Sequence, residues 1–154
     1  MKAPAELLPH KKPMIFISDV RSFDAQNGTL VAHSRIQETD ILYQPSIGGV
    51  PVYASLEYMA QAIGCFVGLY DLEQNPDKKP GVGFVLGSRK LKILAPVFAL
   101  GEDLLIKISL LFFDESIASF DCAIYNEKTN EEVASAIINA YRPENINDFI
   151  KEYE

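Results

Sequence analysis

The chain has 154 residues, 48% hydrophobic and 23% charged, long enough to bury a core of its own and short enough to form one domain. Fourteen Lys and Arg against 21 Asp and Glu leave a net charge of -7, which argues against a nucleic-acid binder, since such a protein must neutralise phosphates. Cys65 and Cys122 stand far apart without CxxC spacing, so no zinc site or disulfide framework is indicated, no cofactor is called for, and a reducing cytoplasm is the expected compartment.

The opening MKAPAELLPHKKP lacks an apolar h-region, and no stretch reaches the roughly 18 uninterrupted apolar residues of a membrane span. A soluble, unprocessed chain with no membrane span is expected. Residues 14–23 and 28–36 are rich in β-branched and aromatic side chains, and the Asn27-Gly28 pair between them signals a hairpin. The next stretch, QETDILYQPSIGGVPV, is broken by Pro45, Gly48, Gly49 and Pro51 and reads as a loop. From about Tyr53 to Leu72 the spacing of Leu56, Ala60, Ile63, Val67 and Tyr70 predicts a helix with one apolar face. Ala60, Gly64 and Gly68 form a small-residue stripe along it, so something is expected to pack closely there despite the roughly 1 kcal/mol that each interior glycine costs. QNPDKKPG at 74–81 ends the helix. Four strand-like segments follow near 82–94, 103–113, 117–126 and 132–142, read as a meander with turn material at APVFALGED, DES and NEKTNEE. The acidic tail 143–154 suggests a short helix.

Few side chains here invite chemistry. Glu57 falls about one turn into the predicted helix, near its positive end, where it is either a solvent-facing helix former or a functional carboxylate. His10 sits between two prolines before the first strand, either loose in solvent or aimed into a cleft. His33 shares a strand face with Val31 and Arg35, opposite Leu30, Ala32, Ser34 and Ile36, and is expected to be exposed. Cys65, among apolar helix residues, reads as a packed thiol. GxSxG, HExxH, P-loop and GxGxxG patterns are absent, and no cluster supports a metal.

The order of two strands, one long helix and four strands is an α+β layout in which a curved antiparallel sheet of about six strands wraps a single helix, the arrangement of the hotdog fold. The open sheet edge of such a fold would be protected by a second copy, so a homodimer is expected. LEYMAQAIG at 56–64 and LLPHKKPMIFISDV at 7–20 resemble the central-helix motif and the opening segment of the β-hydroxyacyl-acyl-carrier-protein dehydratases. The likeness runs through GFVLGSRKLKILAPVFALGEDLLIKI to about residue 142. Those dehydratases carry HFPxxPxxPG before the helix, whereas this chain has YQPSIGGVPVY at 43–53, with Tyr43 in the histidine's place. The divergent dehydratases associated with aryl-polyene biosynthesis, which also lack HFP, are the better match.

The resemblance implies a dehydratase acting on a 3-hydroxyacyl thioester carried by an acyl carrier protein, in fatty-acid-like or polyene lipid biosynthesis. It carries Glu57 over directly and His10 as a motif histidine, leaving open which is acid and which is base. Backbone N–H groups near Val52 and Tyr53 are expected to polarise the thioester carbonyl. Because carrier proteins are acidic, the basic cluster Lys78, Lys79, Arg89, Lys90 and Lys92 is the expected docking face, unless it is ordinary solvated surface. Two rival readings stand beside this one: a hotdog thioesterase, which would use the helix carboxylate to activate water, and a non-catalytic acyl-thioester binder.

Overall fold

Alternation of buried and wetter side chains builds most of this molecule into one antiparallel sheet. The structure, a computed structural model, describes residues 2–9, 14–77, 84–114 and 116–141, with the backbone alone at 84–86. His10, Lys78, Lys79 and the tail 143–154 therefore lie outside the described residues. A short helix α1 (Pro4–Leu7) is followed by β1 (Asp19–Asp24) and β2 (Thr29–Arg35). A three-residue strand β3 (Gly49–Pro51) and a 3-10 turn (Val52–Ala54) lead into the long helix α2 (Ser55–Gln74). Then come β4 (Phe84–Ile93), β5 (Val97–Ala99), β6 (Asp103–Asp114), β7 (Ile117–Asn126) and β8 (Glu132–Tyr141). The main sheet runs β1-β2-β6-β7-β8-β4, and β3 pairs with β5 in a second, two-stranded sheet.

This is the hotdog arrangement, with three departures from the sequence reading in its strands. Only β6, β7 and β8 form a meander, because β4 crosses over to the far edge and pairs with β8. The segment 95–103, read as turn material, holds β5, whose partner β3 lies in the stretch read as a loop. The first predicted strand also shortens at its start. Residues 14–18 stay irregular because the α2 side chain Gln61 engages the backbone of Met14 and Phe16.

The core lies between the sheet and α2. Leu30, Ala32, Leu104, Ile106, Ile108, Phe120, Cys122, Ile124, Ala134, Ala136 and Ile138 alternate along their strands and are buried with Tyr58, Met59, Ala62, Cys65, Phe66 and Leu69 of the helix. Each large side chain buried in this way contributes roughly 1.5–3 kcal/mol. Phe66 joins the layers, its ring edge-on to Phe23 and Phe120 at centroid distances of 5.4 and 5.6 Å. Cys65 is a packed thiol as expected, and burial pushes it and Cys122 up to about 12, so both stay protonated.

The apolar stripe of α2 is rotated from the predicted one. Of the five residues expected to face the core, Ile63 is deeply buried while Tyr70 is 43% exposed, because the helix is covered on two sides and periodicity alone does not choose between them. The second cover is the N-terminal segment. A Cβ on Gly64 would stand 2.6 Å from a Leu8 methyl, and one on Gly68 would stand 2.8 Å from the Leu7 carbonyl oxygen, so the small-residue stripe exists to receive α1 and Leu8. Residues Val52–Gln74 are long and apolar enough to cross a bilayer by composition, yet more than half of that window is buried inside the fold, as befits a core helix.

Candidate active site

The start of α2 is built by the small sheet. Gln44 donates its N–H to the Gly49 carbonyl at 2.8 Å, and Val50 pairs with the fully buried Phe98 of β5. The 3-10 turn that follows sets the amides of Val52 and Tyr53 just before the helix, and the Ser55 hydroxyl donates to the Val52 carbonyl. The capping residue of α2 is Ala54, which offers no side-chain acceptor to the first-turn amides. This end of the helix carries partial positive charge, and Glu57 is the acidic residue in its first turn. Tyr53 is exposed, its hydroxyl meeting the Gln44 side-chain amide at 3.3 Å.

One helical turn beyond Glu57 lies Gln61, only 1% exposed. Its carbonyl oxygen accepts the Phe16 N–H at 2.8 Å, and its NH2 donates to the Met14 carbonyl at 2.6 Å and to Glu57 Oε1 at 3.2 Å. The half-buried Glu57 carboxylate thus stands beside the N-terminal segment, whose described flanks are both docked on α2, Leu7 and Leu8 over the glycines and Met14–Phe16 on Gln61. Nearby, Tyr58 is buried between Phe16 and Phe98, with ring centroids 5.8 and 5.9 Å away. Burial and the negative charge of Asp40 raise its phenol well above the usual range, which keeps the hydroxyl neutral.

Among the expected site residues, Glu57, Val52 and Tyr53 gather at the start of α2. Arg89, Lys90 and Lys92 are exposed on β4 at the sheet edge. The β4–β8 register slips between Arg89 and Lys92, and Lys90 takes a φ of 54°, a charged bulge of the kind that limits indiscriminate pairing along an edge strand. Gln61 was missed as a site residue; the only signal for it was a buried-type position filled by an amide inside LEYMAQAIG.

His33 corrects the sequence reading, for it is buried rather than exposed. It does lie on the outer face of β2, but Asp19 of β1 and Asp103 of β6 close over it, with Nδ1 at 2.8 Å from Asp19 Oδ2 and Nε2 at 2.7 Å from Asp103 Oδ1. Arg21 pairs with Asp19 and Glu127, and Arg35 pairs with Asp103. Burial works upward on the Asp19 carboxyl, but hydrogen bonds from His33 and Arg21 and their positive charges outweigh it and hold the group below the usual carboxylate range. His33, Asp103 and Glu127 are close enough to one another to hold a cation. Their oxygens already face Arg21, Arg35 and the imidazole, so the cluster reads as an ion network joining strand ends.

One long helix on a six-stranded antiparallel sheet, with a carboxylate in the first turn of that helix, defines a hotdog protein. The chain belongs to the ApeP-like dehydratase family: the family model, described as ApeP dehydratase, matches residues 2–151. The 3-hydroxyacyl-acyl-carrier-protein dehydratase FabZ of Chlamydia trachomatis serovar L2 is 31% identical over 94 residues, which is 59% of this chain and 60% of that protein. The chain therefore spans less than two thirds of the length of that curated relative. Among solved structures, a chain of the dehydratase heterocomplex ApeI:P from Xenorhabdus doucetiae superposes with a TM-score of 0.89 at 24% identity, covering 100% of this chain and 99% of that one. A hypothetical thioesterase from Streptococcus pneumoniae, solved with coenzyme A, gives a TM-score of 0.61 at 15% identity over 81% of this chain and 84% of its own. These likenesses establish the hotdog fold and a dehydratase family.

Proposed function

We propose that this protein removes water from a 3-hydroxyacyl thioester on an acyl carrier protein, yielding the trans-2-enoyl thioester, in fatty-acid-like or polyene lipid biosynthesis in the cytoplasm. The observation that carries the reading is the placement of Glu57, in the first turn of α2 and tied through Gln61 to the N-terminal segment, in a chain matched almost end to end by a dehydratase family.

Elimination needs a base for the weakly acidic C2 proton and an acid for the C3 hydroxyl. We assign His10 as the base and Glu57, or a water it holds, as the acid. The C2 proton passes to the imidazole, the C2–H electron pair becomes the second bond of C2=C3, and the C3–O bond breaks as the hydroxyl takes a proton from the acid and leaves as water. The amides of Val52 and Tyr53, at the positive end of α2, would meet the negative charge that develops on the thioester oxygen. Supporting His10 is the docking of both described flanks of its segment on the helix that bears Glu57. Incubation with 3-hydroxyacyl and with saturated acyl thioesters tests the reading: enoyl product supports it, free thiol points to the thioesterase, and no turnover points to a binder.

The carrier protein would dock on Arg89, Lys90 and Lys92, with Lys78 and Lys79 as further members of the cluster. Reversing the charge of Arg89 and Lys90 should slow turnover of carrier-bound substrate at low salt, with the difference shrinking as salt screens it. Equal rates at low salt would place the docking face elsewhere. The open edges of the main sheet would also be protected by pairing with a second hotdog chain. That chain was expected to be another copy, whereas the Xenorhabdus doucetiae neighbour comes from a complex of two different chains. Light scattering on the pure protein decides this, since a mass near the 17.1 kDa of one chain rules out the homodimer.

A further inference from the structure

We propose that Gln61 is a positioning residue for the elimination, a buried amide that orients the Glu57 carboxylate while fastening residues 14–16 to α2; this rests on the dehydratase reading above. The orientation of the amide is set by its partners. A backbone N–H at Phe16 requires the oxygen and a backbone carbonyl at Met14 requires the nitrogen, so the group cannot be flipped without losing both bonds. With one amide hydrogen committed to Met14, the other has a fixed direction, and Glu57 Oε1 lies along it at 3.2 Å. The i, i+4 spacing on α2 brings the two side chains onto one face.

This arrangement does more than a clamp requires. The two backbone bonds alone would hold the N-terminal segment to the helix. The third bond ties the same rigid amide to the carboxylate, so the segment before β1 and the proposed acid are held to one reference point. Glu57 has three side-chain torsions between Cα and its oxygens, restrained only in part by packing because it is half-buried, and a donor on Oε1 limits the rotation of the carboxylate plane. Misplacing a reacting group by about 1 Å can cost about 10²-fold in rate, so a residue that fixes this plane affects the chemical step while touching no substrate.

Gln61→Glu tests the idea. It keeps the shape and an acceptor for Phe16, but as a carboxylate it has no hydrogen to give Met14 or Glu57. At alkaline pH it should lower kcat by about 10- to 100-fold relative to the wild type at the same pH with KM little changed, and that ratio should shrink as pH falls and the introduced carboxyl regains a proton to donate. Gln61→Met, which fills the volume without any of the three bonds, should lose kcat without that acid recovery. Melting curves taken alongside identify any unfolded fraction, and rates are referred to folded protein. Should Gln61→Met fail to fold, the pH profile of Gln61→Glu still decides the matter. Wild-type product with an unchanged kcat and pH profile for Gln61→Glu overturns this inference and leaves the dehydratase reading standing. A wild type that makes no enoyl product overturns the reading and this inference with it.

Discussion

Glu57→Gln should lower enoyl formation by about 10²–10⁴-fold, the usual contribution of a general acid or base, while the melting curve stays close to that of the wild type. The substitution is well matched to the site. An amide oxygen at position 57 can still accept the Gln61 hydrogen that now reaches Oε1 at 3.2 Å, so the loss of rate reports on proton transfer and not on a collapsed first turn. His10→Ala should cost a similar factor, being the other half of the proposed pair. His33→Ala should behave differently, because the imidazole is bonded on both nitrogens to Asp19 and Asp103; removing it leaves two carboxylates without that partner and should lower stability rather than kcat. If His10→Ala keeps full activity while Glu57→Gln is dead, the elimination proceeds without an imidazole. Tyr43 or Gln44, in the place where related dehydratases carry HFP, then becomes the next residue to test.

Gly49→Ala should be among the most damaging single changes away from the reacting groups. A Cβ at this position would sit 2.1 Å from the Phe98 carbonyl oxygen, 2.9 Å from its carbon and 3.0 Å from the Ala99 Cα, all backbone atoms of β5. No side-chain rotation relieves such a contact, so β3 and β5 must part. Overpacking of this kind costs typically about 1–3 kcal/mol and occasionally more, and the backbone character of the clash places it toward the upper end. For a domain of this size each kcal/mol lowers Tm by roughly 2–4 °C. The consequence reaches the site because Pro51, the last residue of β3, directly precedes the Val52–Ala54 turn and α2, and because Phe98 braces Tyr58 edge-on. Thermal melting and kcat measured together should both fall, and a Gly49→Ala protein that melts with the wild type would show that the small sheet does not fix the start of the helix.

The sequence made some of this legible and hid the rest for identifiable physical reasons. Asn27-Gly28 announced the first hairpin, and Gly28 does adopt a φ of 70° there, with Asp24 closing the turn onto Asn27. The long helix was visible but began two residues late, at Ser55, because a 3-10 turn over Val52–Ala54 precedes it. β5 stayed hidden because three residues cannot show alternation, and its pairing with β3 is fixed only by tertiary contact. His33 was misjudged for a related reason: strand alternation correctly put it on the outer face, but its cover comes from side chains of β1 and β6. Glu57 was singled out by its place about one turn into the predicted helix, and the resemblance of LEYMAQAIG then decided between its two readings. Gln61, within the same motif, was not, since its partners are backbone groups 45 and 47 residues earlier in the chain.

The most direct test of the central claim runs the reaction backwards. The protein is incubated with a trans-2-enoyl thioester in deuterated water, and the acyl group is analysed by mass spectrometry. Dehydration is reversible at the same groups that perform it, so a site that removes the C2 proton and protonates the C3 oxygen must also add water across the double bond. The account predicts a 3-hydroxyacyl thioester carrying one deuterium at C2, formed by the wild type and lost in Glu57→Gln. Release of free acid and thiol, or an unchanged enoyl thioester, would contradict it.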